Sequence, residues 1–160
     1  MAKRPEIGAV APDFTLPGLT LTDGEAERGE YTLSSARGRP LVLAFYPADN
    51  SPVCTRQMCS YTNDLESFTK LDAAVWAISP QDLDSHEGFA RKHSLGFPLL
   101  SDTDGTVTKL YGIGLGSSSL RRSVFVLDAG GVVRWEHVTM VGLTFPKPPV
   151  ITAQLAALAS

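Results

Sequence analysis

Two cysteines in 160 residues are too few for a disulfide framework, and a reducing compartment would keep both as free thiols. No apolar run comes near the ~18 residues that a membrane-spanning helix needs. An excess of one charge is missing too. Fourteen basic residues face 17 acidic ones, for a formal net charge of -3, and this leaves no electrostatic footprint for nucleic acid or anionic lipid. The adjacent pairs Lys3-Arg4 and Arg121-Arg122 read, as pairs of charges, as solvated surface. The opening MAKRPEIGAVAPDF has basic residues with no apolar stretch behind them, so no secretory signal is expected and the cytoplasm is the expected location. There is no internal repeat, low-complexity tract or linker, so one domain over residues 1–160 is expected.

What is present is material for a core, with 43% hydrophobic and 19% charged residues, arranged as alternating strand-like and helix-like segments. LVLAFY (41–46) is a continuous apolar run suited to a buried strand. Before it, Ser34 and Gly38 bracket one short helical turn. From Pro52 to Leu71 the pattern turns helical, with Met58, Tyr61, Leu65 and Phe68 at three- and four-residue steps, and Pro52 suits the first turn. AAVWAIS (73–79) reads as a second buried strand, and DSHEGFARKHS (84–94) as a helix with Asp84 or Ser85 near its cap. FPLLSD (97–102) is a short strand and GTVTKLYG (105–112) a short helix. SVFVLD and VVRWEHV (123–128 and 132–138) form a hairpin about Ala129-Gly130-Gly131. ITAQLAALA closes the chain as a helix after PKPP. This order predicts an α/β protein, a central mixed β-sheet flanked by α-helices, and the thioredoxin-like fold fits it.

Both cysteines lie in YPADNSPVCTRQMCSYT (46–62). Cys54 falls in the first turn of the helix that follows the apolar strand. There the unpaired N–H groups and the positive end of the helix dipole favour an anion, and therefore the thiolate. On an intact helix Cys59 lies about 7.5 Å further along the axis and about 140° around it. The resulting Cα–Cα separation of about 8.6 Å exceeds the roughly 7 Å limit for a disulfide. Either the two never bond, or the helix unwinds when they do. Space-filling by small apolar thiols is the competing reading.

The residues around Cys54 resemble the peroxiredoxins. Pro47, Ser51 and Cys54 match the pattern P-x-x-x-[TS]-x-x-C, and a second cysteine five residues on is similar to the peroxiredoxin Q, or bacterioferritin comigratory protein, subfamily. APDFTLP (11–17), RGRPLVLAFYP (37–47), AISPQDLDSHEGFARKHSLGFPLLSD (77–102) and RRSVFVLDAGGVV (121–133) look like further segments of that family in order. The resemblance implies a thioredoxin-like fold and a thiol-dependent peroxidase with no metal and no organic cofactor. Cys54 would be the peroxidatic cysteine and Cys59 the resolving one, joined in an intramolecular disulfide during turnover. Ser51 would hydrogen-bond the thiolate and the incoming oxygen, Pro47 would shield the thiolate, and Arg122 would polarise the peroxide. Arg121 competes for that last role, but strand alternation lets only one of the two face the site, and motif position selects Arg122. The implied partners are a hydroperoxide and thioredoxin or a similar dithiol, with no nucleic acid and no membrane. A monomer is implied, with a weak homodimer as the alternative.

Other signals are weaker. GIGLGSSS (112–119) lacks the third glycine of a dinucleotide fingerprint and the lysine of a P-loop, so it reads as a flexible loop. His86 and His93 would share a helix face as exposed residues, without a third ligand for a metal. Trp76 and Trp135 read as core or sheet-face residues. Thioredoxin-type exchange on protein disulfides would call for C-x-x-C, and a copper chaperone for a C-x-x-x-C with a nearby histidine. Both motifs are absent.

Overall fold

The computed structural model describes residues 3–115, 119–139 and 144–158. In chain order its elements are β1 (Thr15–Thr22), β2 (Glu25–Thr32), a 3-10 turn (Leu33–Ala36), β3 (Leu41–Phe45), α1 (Pro52–Asn63), α2 (Leu65–Lys70), β4 (Ala74–Ser79), α3 (Leu83–His93), β5 (Leu99–Ser101), α4 (Thr106–Leu110), β6 (Gly114–Leu115), β7 (Ser119–Leu120), β8 (Ser123–Leu127), β9 (Val133–Val138) and α5 (Pro148–Leu158). Seven strands make one mixed sheet in the order β2-β1-β5-β4-β3-β8-β9. β4 runs parallel to β3 and β5, while β8 pairs antiparallel to β3.

β3 is apolar at every position because both faces of the sheet are covered. Val42 and Ala44 point into one core, with Met58, Tyr61 and Phe68 of the first two helices, Phe89 of α3 and Ile151 and Leu155 of α5. Leu41, Leu43 and Phe45 point into the other, with Phe14, Trp76, Val107, Tyr111 and Phe125. Side-chain alternation along one strand thus serves two cores, and β3 lies inside the sheet between β4 and β8, its C-terminal end leading through a loop to α1.

Several expectations are corrected. The helix over 52–71 is two helices, broken at Asp64 (φ -107, ψ 18), whose carboxylate accepts from Ser67 Oγ at 3.0 Å and offers the chain a local alternative to helix. The cap of α3 is Asp82, which accepts from the Ser85 amide at 2.8 Å, rather than Asp84 or Ser85. Ser34 lies inside its short turn, with Thr32 at the cap position, and Ser34 N–H donates to Asp13. α5 begins within the proline cluster at Pro148. The N-terminal hairpin of β1 and β2 carries no strand signal in β2, because EAERGEYT has no large aliphatic residue and is mostly exposed. Its available signal was Asp23-Gly24, both at positive φ (53° and 80°), the dipeptide that a two-residue hairpin turn demands. Gly114-Leu115 pairs with Ser119-Leu120, so the 112–119 segment is partly strand, and residues 116–118 lie outside the described residues. No helix among the described residues is long and apolar enough to cross a membrane.

Leu43, on interior strand β3, is fully buried. Leu43→Ala is expected to destabilise the protein by about 3 kcal/mol through lost transfer energy and the cavity left behind. Urea unfolding followed by circular dichroism should show a lower midpoint with an unchanged slope.

Candidate active site

Beyond β3 the chain passes through Tyr46, whose amide bonds Ile78 O at 3.0 Å, and turns at Asn50, which holds φ +64° as asparagine readily does. Ser51 then adopts extended φ/ψ at the N-cap and Pro52 starts α1. No side chain caps this helix; Ser51 Oγ donates instead to Ala48 O at 3.2 Å. The amides of Val53 and Cys54 therefore lack intrahelical acceptors at the end where an anion is favoured.

Cys54 is fully buried. Arg122 Nη2 donates to its Sγ at 3.2 Å, and Arg122 Nη1 donates to Gln57 Oε1 at 2.6 Å. Gln57 Nε2 in turn donates to Tyr61 Oη at 3.2 Å, and Tyr61 Oη donates to Pro146 O at 2.7 Å. Cys54, Gln57 and Tyr61 share a helix face by their spacing, so one side of α1 carries a polar chain through an apolar core. Burial pushes the Tyr61 phenol well above its usual range, so it stays a donor. Tyr61 stands in the apolar stripe of the helix by spacing, and that apolar spacing does not point to Gln57. The signal for Gln57 was an amide set three residues from Cys54 on a face otherwise apolar.

Arg122 is 3% exposed and lies just before β8, where its carbonyl accepts from Thr139 N at 2.9 Å; Arg121 is half-buried. Both arginines precede the strand, so alternation within a strand does not apply to them as expected. Pro47 and Ala48 form one wall of a cavity of about 420 Å³ that Pro80, Lys109 and Leu120 also line. Cys59 lines a different cavity of about 510 Å³, with Arg56, Ser60, Asn63, Asp64 and Pro148. Both cysteines are free, and both sit on the intact α1. Burial raises the Cys59 thiol above its ordinary value.

His86 corrects its assignment as an exposed helix residue, because it is fully buried. Its Nδ1 lies 2.8 Å from Asp49 Oδ2 and its Nε2 lies 3.0 Å from Leu100 O. Asp49 also accepts from Tyr46 Oη at 2.6 Å and Ser85 Oγ at 2.7 Å. His93 is half-buried, with its ring 5.3 Å from that of Phe89. Among the described residues no three His, Cys, Asp or Glu side chains gather to hold a metal ion.

Residues 7–136 match the model of the AhpC/TSA family. The chain is similar to a chloroplastic peroxiredoxin Q of Oryza sativa subsp. japonica, with 42% identity over 130 residues, covering 80% of this chain and 57% of the relative. It thus spans little more than half the length of that plant relative. A Coxiella burnetii protein provisionally named peroxiredoxin bcp is 33% identical over 147 residues, covering 86% of this chain and 92% of the relative. Among solved structures, the reduced 2-Cys peroxiredoxin of Plasmodium vivax superposes with a TM-score of 0.86 at 22% identity, covering 96% of each chain. That last likeness is one of fold, and the fold is thioredoxin-like.

The raised Cys59 thiol has a measurable consequence. A group favoured as the neutral acid on folding contributes stability below its unfolded value, and loses that contribution as pH rises through the folded value. In a Cys54→Ser variant, alkylation of Cys59 by iodoacetamide is expected to be slower than for a free thiol, with its rise displaced to higher pH. In urea the profile should return to that of a free thiol, and an undisplaced native profile would contradict the burial argument.

Proposed function

The chain belongs to the AhpC/TSA family, and on that premise we propose that it is a thiol peroxidase reducing hydrogen peroxide and organic hydroperoxides at Cys54. The observation that carries the reading is the Arg122 guanidinium donating at 3.2 Å to a thiol in the first turn of α1. A cation and a helix N-terminus converge on one sulfur in a site shut from water, so donors face the place where negative charge moves as the O–O bond breaks.

The Cys54 thiolate attacks the terminal oxygen of the hydroperoxide. The S–O bond forms as the O–O bond breaks, and the leaving oxygen takes a proton to depart as water or alcohol. Arg122, held in orientation by Gln57, donates to the oxygen on which negative charge grows. Ser51 exchanges its bond to Ala48 O for one to the sulfur or the peroxide, a hydroxyl rotation that needs no backbone movement. Pro47 walls the approach.

Cys59 then attacks the sulfenic sulfur, expelling the hydroxyl as water and leaving a Cys54–Cys59 disulfide. On an intact α1, ideal helix geometry sets the two Cα atoms about 8.6 Å apart and forbids this bond, so the first turns must unwind. Unwinding also carries Cys59 out of its partly buried place, where the neutral thiol is favoured, into water, where the thiolate forms more readily. Thioredoxin or a similar dithiol regenerates the pair by exchange. One chain carries both cysteines and serves as the working unit, as a monomer or weak homodimer, in the cytoplasm and with no cofactor.

Mixing reduced protein with one equivalent of hydrogen peroxide and quenching over milliseconds to seconds should show loss of two hydrogens by intact mass, mapping to Cys54–Cys59. An unchanged mass would sink the peroxidase reading. Cys59→Ser should consume one equivalent and stop at sulfenic or sulfinic acid. Arg122→Met should slow the peroxide step by about 10²- to 10³-fold, measured by stopped-flow, as removal of a donor aimed at developing charge does elsewhere.

A further inference from the structure

Asp49 and His86, with 8% and 0% exposure, are buried titratable groups that the cycle above does not use. The hydrogen bonds around them constrain where their protons lie. Leu100 O can only accept, so His86 Nε2 carries a hydrogen. Nδ1 and Asp49 Oδ2, 2.8 Å apart, need a proton between them, since two lone pairs at that distance repel. Asp49 also accepts from Tyr46 Oη and Ser85 Oγ. One proton shared between Nδ1 and Oδ2, with the hydrogens from Tyr46 and Ser85, satisfies every contact. Burial and the adjacent Asp49 charge push the Tyr46 phenol well above its usual range, which keeps it a donor.

These bonds converge on one short stretch of backbone. Tyr46 and Asp49 clasp the loop internally, while Ser85 and His86 tie it to the first turns of α3 and His86 ties α3 to β5. The clasped loop carries Pro47 at one end and leads to Ser51 at the other. Between them Asn50 makes the turn at φ +64°. A buried polar network gives little net stability, but its directional bonds select one geometry over near alternatives.

We infer that Asp49 and His86 are positioning residues for the peroxide-reducing site, holding the Tyr46–Ser51 loop so that Pro47 and Ser51 are set against Cys54 when the peroxide arrives. This rests on the peroxidase reading above. The pair touches neither sulfur nor peroxide and acts through the loop.

A positioning role separates two reactions of the same thiol. Reduction of peroxide needs the loop in register, whereas alkylation of Cys54 by iodoacetamide needs only the thiolate and access. Asp49→Ala, on a Cys59→Ser background, is expected to lower the stopped-flow rate with hydrogen peroxide by about 10- to 100-fold, as misplacement of reacting groups by about an ångström does. Alkylation should change less than about threefold. Asp49→Asn keeps the contacts when its amide donates one hydrogen to a neutral His86 Nδ1 and the other to the Ser85 hydroxyl, which then accepts, and should restore at least about a third of the peroxide rate. Should Asp49→Ala fail to fold, Tyr46→Phe removes one bond without opening a cavity, and a severalfold fall in the peroxide rate alone is expected. A fast parent with an equally fast variant, or peroxide and alkylation rates that fall together, overturns the inference while leaving the peroxidase reading intact. A parent no faster than a free thiol overturns both.

Discussion

A guanidinium donating to a sulfur inside a closed core is the interaction on which the rest of this structure depends. Arg122 is 3% exposed and Cys54 fully buried. A charge taken that far from water is tolerated only with partners, and the arginine finds them in the sulfur and the Gln57 amide. Gln57 in turn needs Tyr61, and Tyr61 needs the Pro146 carbonyl. The polar chain thereby anchors the segment entering α5 to α1, so the C-terminal helix and the sulfur site share one hydrogen-bond network.

A second constraint is geometric. β3 and α1 are joined by a loop short enough to keep the helix N-terminus against the sheet, so Cys54 sits where strand end, helix dipole and Arg122 meet. The same rigid helix keeps Cys59 away, facing its own cavity beside Pro148. In the proposed cycle the first demand, a preorganised thiolate, is met by a folded α1 and the second, a disulfide, by an unfolded one. The break at Asp64 confines that rearrangement: α1 ends there and α2 begins, so loss of the first helix need not propagate into the second.

Regular elements with apolar periodicity were legible directly. β3, β4 and the β8–β9 hairpin fall where apolar runs and turn residues put them, because burial on one or both faces writes itself into composition. β2 was not legible, since an exposed edge strand is held by backbone pairing to β1, and backbone bonds leave no side-chain pattern. The candidate site divides in the same way. Pro47, Ser51, Cys54 and Cys59 lie within 13 positions of one another and form a local pattern that sequence can display. Gln57 and Tyr61 lie in the same stretch, but their role exists only through Arg122, 65 and 61 positions away.

His86 shows the boundary most plainly. Helix periodicity puts it and His93 on one face, yet whether that face meets water or the sheet depends on how α3 packs, a long-range matter that a local pattern does not encode. By itself the sequence determined the alternation of strands and helices, the thiol at a helix start and a cysteine spacing that an intact helix cannot bridge. These follow from local chain geometry. The tertiary structure alone decided that a glutamine and a tyrosine hold the arginine on the sulfur, and that an aspartate and a histidine share a buried proton beside the loop. Those are contacts across 37 to 85 positions of chain, brought together only when the sheet closes over both its cores.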